Sequence, residues 1–470
     1  MKKIRILLVG LIFVTGFLLR FYGVGVESFS VEEAVNFSII TQPDVVSVYE
    51  KVIEQKGAQP CFYLMGHFWA KLLPPTEKWL RLLSVIAGSL VLLVVYFLAR
   101  NFLSVGVSLG VTCFACFSDY LIDISRGFTY QAVLLLFICV NAMVFFRMNR
   151  KPVGRFFVWL FILSGALAVN THSVAWGYLI VQFLLTSFFH VDKTCLSFKR
   201  YLSYFAVILM FSIQNIIITF SRLFDIVCVH TTLVCESFCA NFLLRILFGG
   251  GIRFLDRFWI LGIIFVTGFF CYLFFVIAFR KRFFGFFLKN RYLLYCVWFC
   301  VGQTGFALIG SYLSCGFFCG RGAILSVVIF IYIIVCAGIF CLKRTKYFVL
   351  AGLIFINIFS SGYSISPDFK SAAEWIGKDV GRDDIIVCFD LGTAQILNCY
   401  GLEKKRKIYL SPKISPNQLY EILKNSGENI WVVSVHNRSE ELFMKGYRCI
   451  KSLKKTGDRF ICVYNYRLIK

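Results

Sequence analysis

The feature that most limits what this chain can fold into is where its arginines and lysines fall between apolar stretches. Blocks of about 17 to 22 apolar residues, the length that crosses a bilayer, are joined by loops that are alternately rich and poor in positive charge. The blocks predict helices near 5–22, 80–99, 103–120, 130–147, 155–171, 173–189, 200–221, 258–279, 292–313, 322–342 and 347–363. With the N-terminus in the cytoplasm, the inner turns hold Arg100; Arg147, Arg150, Lys151 and Arg155; Lys193, Lys199 and Arg200; Arg280, Lys281, Arg282, Lys289 and Arg291; and Lys343, Arg344 and Lys346. The expectation is an all-α polytopic membrane bundle of about 11 transmembrane helices, placed in a bacterial inner (plasma) membrane.

Composition agrees, with 59% apolar and only 16% charged residues. The net charge of +24 does not point to nucleic acid, because the basic residues sit at block ends instead of forming one basic face, so membrane lipids are the anionic partner. Met1 to Tyr22 begins with Lys2, Lys3 and Arg5 like a signal peptide but lacks a small-x-small cleavage site, and reads as a retained first helix. Of the 19 cysteines, Cys113, Cys116, Cys139, Cys296 and Cys300 fall inside spans and read as small apolar filler. On the outer side, Cys228, Cys235 and Cys239, and Cys315 with Cys319, either pair or stay free thiols.

The loop 23–79 is net acidic, with Glu27, Glu32, Glu33, Asp44, Glu50, Glu54 and Glu77 against Lys51, Lys56, Lys71 and Lys78, and belongs outside. Within it the apolar run Cys61 to Leu73 is too short to cross and reads as a helix lying in the interface. After Tyr363 the composition turns soluble. Pro367 to Trp375 opens an amphipathic helix, Ile385–Phe389, Ile408–Leu410 and Trp431–Val435 read as buried strands, and Thr393–Tyr400 and Gln418–Lys424 as helices between them. Two domains are expected: 1–363, a membrane domain carrying the outer loop 23–79 with interface helices, and 364–470, an extracytoplasmic α/β domain.

Glu32 and Glu33 stand just beyond the first helix, where a carboxylate meets both water and lipid headgroups. A general base acting on an acceptor beside a lipid-linked substrate needs that position, and two solvated surface acids are the alternative. Arg81, Arg126 and Arg321 lie at expected outer ends of spans, suited to forking onto phosphate oxygens or simply to snorkelling. His172 at a span exit can hydrogen-bond a sugar or phosphate, ligate a divalent ion, or be a satisfied interfacial histidine. His67 reads as a packing residue with a wet tip. Asp119 and Asp123, four residues apart, share a helical face either for a cation or sugar, or as ordinary helix-end acids.

Several of these stretches are similar, in order and spacing, to one family. Glu27-Ser-Phe-Ser-Val-Glu-Glu-Ala34 resembles the Trp-x-Asp-Glu-Ala first-loop signature of the glycosyltransferase C (GT-C) superfamily, in particular its protein O-mannosyltransferase and lipid A aminoarabinose transferase group, of the family 39 type. Gln59-Pro-Cys-Phe-Tyr-Leu-Met-Gly-His-Phe-Trp-Ala-Lys71 resembles that group's His-Pro-Pro-Leu-Tyr-Tyr segment, and Leu80-Arg-Leu-Leu-Ser84 its Leu-Arg-Leu-Pro-Ser. Ser125-Arg126 with Tyr130, Asn170-Thr-His-Ser173, Arg321, and the run from Pro367 to Trp375 match later points of the same pattern. Ala58 and Gln59 replace the usual His-Pro, and Gly127 stands where the pattern has an acid.

The resemblance implies inverting transfer of a sugar from a polyprenyl-phosphate donor to a lipid, protein or glycan acceptor. Glu32 falls at the catalytic Asp position with Glu33 beside it, Arg81, Arg126 and Arg321 at donor-phosphate positions, and Tyr63, Tyr130 and His172 at substrate-facing ones. It assigns no cofactor and no metal ligand, leaving a divalent cation as an option. A transporter or flippase, expected to carry mid-bilayer charges and broken helices, and a non-catalytic envelope-assembly scaffold are the other classes.

Overall fold

The computed structural model describes residues 2–54, 59–188, 196–217, 290–313, 321–340, 346–360, 369–379, 385–388, 391–402, 406–409, 429–434, 447–454 and 462–468. The expected span near 258–279, the expected helix Gln418–Lys424 and the five cysteines read as outer lie outside these residues.

In hydrocarbon every backbone N–H and C=O has to be paired within its own segment, so long apolar runs become helices. Among the described residues, α1 (Lys2–Phe21), α5 (Glu77–Arg100) and α8 (Tyr130–Arg150) are long and apolar enough to cross a membrane. The shorter α9 (Arg155–Thr171), α10 (Ala175–Phe188) and α11 (Phe198–Phe211), with helices Arg291–Leu313, Arg321–Phe340 and Lys346–Ser360, occupy other stretches expected as spans.

The stretch expected as one span over 103–120 is instead broken. α6 (Val105–Phe117) stops at Ser118, and α7 (Asp119–Arg126) leaves at 54° to it. Ser118 is the N-cap of α7, its hydroxyl accepting the Leu121 N–H at 3.3 Å. Ser and Asp compete with helical backbone bonds and favour such caps, so Ser118-Asp119 turns an apolar run into a corner.

The chain packs as two compact units. The first comprises Met1–Tyr22, Tyr49–Met65 and Arg81–Gly362. Its core is aromatic, with Phe299 stacked on Phe330 at 4.7 Å and Tyr178 stacked on Phe299 at 5.2 Å. One buried polar group is accommodated there: Asn141 donates to Phe161 O (2.8 Å) and accepts from Tyr178 Oη (3.1 Å) and Gln182 Nε2 (2.8 Å).

The second unit comprises Gly23–Val48, Gly66–Leu80 and Tyr363–Lys470, so two pieces of the loop expected to belong with 1–363 pack with the C-terminal segment. That segment holds a five-stranded sheet in the order β2-β1-β3-β5-β4. β1 (Ile385–Cys388) runs parallel to β2 (Arg406–Tyr409) and β3 (Asn429–Ser434), while β5 (Cys462–Leu468) is antiparallel to β3 and to β4 (Tyr447–Lys454). The first three match the expected strands. The expected helix Thr393–Tyr400 is a helix only over Leu391–Leu397 and then widens into a π turn, Asn398–Leu402.

Candidate functional site

Gly23 takes φ 73°, in the left-handed region that glycine enters without cost, and ends α1 at the start of the first loop. The loop then forms α2 (Val31–Ile40), closed by a capping box: the Ser30 hydroxyl accepts the Glu33 N–H (3.3 Å), and Glu33 Oε2 accepts the Ser30 N–H (2.8 Å). Glu33 is thus committed to the helix start and is only 3% exposed. Glu32, in the same first turn, is half-buried, and the helix dipole favours its carboxylate. Replacing Ser30 with Ala is expected to lower stability by about 1 kcal/mol, read by thermal unfolding in detergent.

The far end of α2 is held by α4 (Pro60–Leu72). His67 Nδ1 donates to Ile40 O at 2.8 Å, and its Nε2 is buried without a partner among the described residues. The wet tip expected of His67 is therefore a buried one, since Ile40 O can only accept and draws the ring inward. Tyr400, on the π turn, accepts the Phe29 N–H (2.9 Å) and donates to Glu77 Oε1 (2.9 Å), while its ring stacks on Phe29. Burial pushes the Tyr400 hydroxyl well above the ordinary phenol range, which keeps its proton available for Glu77. The Ser28 hydroxyl accepts the Lys370 N–H (3.1 Å), and Lys370 Nζ lies 3.7 Å from Glu77. The segment bearing Glu32 is thus gripped by residues about 340 and 370 positions away in sequence. Sequence reasoning missed this grip; the pairing of Tyr400 with Phe29 carries no local signal.

In the first unit three loop ends meet. Phe62, on α4, packs against Phe128 (5.1 Å) in the turn between α7 and α8, and Tyr63 stands edge-on to Phe62. Ser84 of α5 donates to Thr129 O (3.4 Å). Tyr130 stacks on His172 with ring centroids 4.5 Å apart and planes at 19°. Gln303 donates to Val174 O and to the Ser326 hydroxyl, each at 3.1 Å, which brings helix Arg321–Phe340 to the same loop. Arg321 opens that helix five residues before Ser326, about 7.5 Å along the axis. Arg81 is buried in α5. Arg126, at the end of α7, donates from Nη2 to Tyr22 O at 2.5 Å and so caps α1.

His172 Nδ1 accepts the Val174 N–H (3.1 Å), so the ring proton sits on Nε2. Burial pulls the imidazole down to about 4, and it is neutral at pH 7, a hydrogen-bond donor rather than a charge. Its folded value lies below the unfolded value of about 6.5, so the unfolded chain binds the extra proton and stability is lost as pH falls from about 6.5 to about 4. Exchanging His172 for Gln is expected to flatten the unfolding temperature over that window.

Asp119 and Asp123 do share α7, and the Asp119 N–H donates to Asn357 Oδ1 (3.4 Å). Among the described residues no group of three or more His, Cys, Asp or Glu side chains is arranged to hold a metal ion. Glu32 and Glu33 thus lie in the second unit, and Arg81, Arg126, Tyr63, Tyr130, His172 and the helix opened by Arg321 in the first.

No protein-family model and no curated protein matches the chain. Solved structures do. ArnT from Cupriavidus metallidurans in the apo state superposes with a TM-score of 0.60 at 11% identity, over 99% of this chain and 98% of that one. The same protein bound to undecaprenyl phosphate gives 0.55 at 11%, over 98% and 97%. The Archaeoglobus fulgidus oligosaccharyltransferase in complex with Zn and sulfate gives 0.50 at 12%, over 96% of this chain and 72% of that one. This chain is an integral membrane protein with the fold that ArnT shares with the archaeal oligosaccharyltransferase.

Proposed function

We propose that the protein is a membrane glycosyltransferase that moves a sugar from a polyprenyl-phosphate donor to a lipid, protein or glycan acceptor, with inversion. The observation that carries this reading is the near-full-length match to ArnT, a fold solved with undecaprenyl phosphate bound. In this reading the membrane is a bacterial inner membrane, the N-terminus is cytoplasmic, and the segment 364–470 lies outside with the first loop.

Glu32 accepts the proton of the attacking hydroxyl or amine as the bond to the anomeric carbon forms, and the bond to the phosphate oxygen breaks on the opposite face. Polyprenyl phosphate leaves as an anion, so it needs positive charge and no proton; Arg126, Arg81 and Arg321 supply that charge. Glu33 keeps Glu32 in register through the capping box. His172, neutral and stacked on Tyr130, donates from Nε2 to a sugar or phosphate oxygen, and Tyr63 is a further substrate contact. A divalent-cation requirement is read by chelation with EDTA, and no step here depends on one.

Lipid analysis of a deletion strain tests the reading. A polyprenyl-phosphate sugar should accumulate while an envelope glycan, protein or lipid loses one sugar; an unchanged lipid profile contradicts it.

A further inference from the structure

Near its loop end, α1 buries one arginine completely: Arg20 is 0% exposed. A guanidinium removed from water without a counter-ion is costly, and among the described residues no carboxylate lies within ion-pair distance of it. What it has instead is the buried C-terminal carbonyl end of α6. Nη2 donates to Ala115 O (3.2 Å) and Nη1 to Cys116 O (3.3 Å) and Gly16 O (3.0 Å). Ala115 and Cys116 are in the last turn of α6, where unpaired carbonyls and the helix dipole place partial negative charge. These dipoles offset part of the charge and leave the rest.

Among the described residues the third donor position, Nε, is buried with no hydrogen-bond partner. The direction it faces is set by Gly88 on α5. A Cβ at Gly88 would lie 3.5 Å from Arg20 Nε and 2.7 Å from Ser125 Cβ, so only the lack of a side chain there lets the two approach. Ser125 directly precedes Arg126, which itself donates back to Tyr22 O, two residues beyond Arg20. The two arginines thus exchange: that of α1 caps the broken span, and that of the broken span caps α1.

We infer that Arg20 is a further cationic residue of the donor-phosphate site, a fixed charge behind Ser125-Arg126 that draws in the lipid phosphate while Arg126 exchanges Tyr22 O for the phosphate oxygens. This rests on the proposed role of Arg126. Arg20 acts through its field, which in a weakly screened setting is worth about a tenfold preference for an anion at close range.

The test uses two lipids of equal chain length, undecaprenyl phosphate and undecaprenol, titrated against the full-length protein in detergent micelles by tryptophan fluorescence. The wild type is expected to prefer the phosphate. Arg20→Gln should shrink that preference about tenfold with undecaprenol binding unchanged, and Arg20→Lys, which keeps the charge but not the fork, should stay within about threefold of wild type. Where Arg20→Gln is not recovered folded, the Arg20→Lys ratio decides alone. The inference is overturned if Arg20→Gln keeps the full preference, or if Arg20→Lys loses it about tenfold, because carbonyl capping and not charge is then what matters. A wild type with no preference for phosphate sinks the donor-phosphate reading itself, a distinct outcome.

Discussion

Glu32→Gln is expected to slow sugar transfer about a thousandfold while leaving the affinity for undecaprenyl phosphate unchanged. The amide keeps the shape of the side chain, so α2 and its cap stay in place, but it cannot take a proton from the acceptor. A base acts only as the new bond forms, which places the loss in kcat and not in donor binding. Glu33→Gln provides the contrast. Its carboxylate already accepts the Ser30 N–H inside the capping box, and an amide oxygen accepts that bond too. That variant should melt slightly lower and transfer within a few-fold of wild type. Steady-state rates and unfolding temperatures of both variants separate base from cap.

Arg126→Ala has the second large effect, with the opposite kinetic signature. The donor KM is expected to rise about 30- to 100-fold, the equivalent of about 2 to 3 kcal/mol for a charge-assisted phosphate contact, with kcat little changed. Arg126→Lys should recover part of this, since an ammonium offers charge without the planar fork. Both variants also lose the bond to Tyr22 O and with it one cap of α1, so a small drop in unfolding temperature accompanies the kinetic change. A kcat loss at unchanged KM would move Arg126 from binding to the chemical step.

α1, α5 and α8 were readable because a bilayer enforces one length and one polarity on the helices that cross it. The corner at Ser118 was not, because hydropathy averages over a window in which Ser-Asp is diluted by its neighbours; only the cap preference of those two residues marks it. The role of Glu33 was readable after all, as Ser30-Val-Glu-Glu33 spells a capping box, but the family likeness drew attention to both acids as chemistry. Nothing in the sequence singles out Arg20, since an arginine near a helix end ordinarily snorkels, and only packing shows that it turns inward onto α6. β4 and β5 escaped because Lys451, Lys454 and Arg467 interrupt their apolar alternation. Neither the stacking of Tyr130 on His172 nor the Tyr400 grip on Phe29 has a local signal, because each depends on a fold that joins distant segments.

The most direct test of the central claim uses lipid-linked sugars extracted from the deletion strain, reconstituted in vesicles with purified protein, and follows the release of free polyprenyl phosphate. The wild type should release it when acceptor is present and Glu32→Gln should not. Release by Glu32→Gln at the wild-type rate, or none by either, would contradict the assignment.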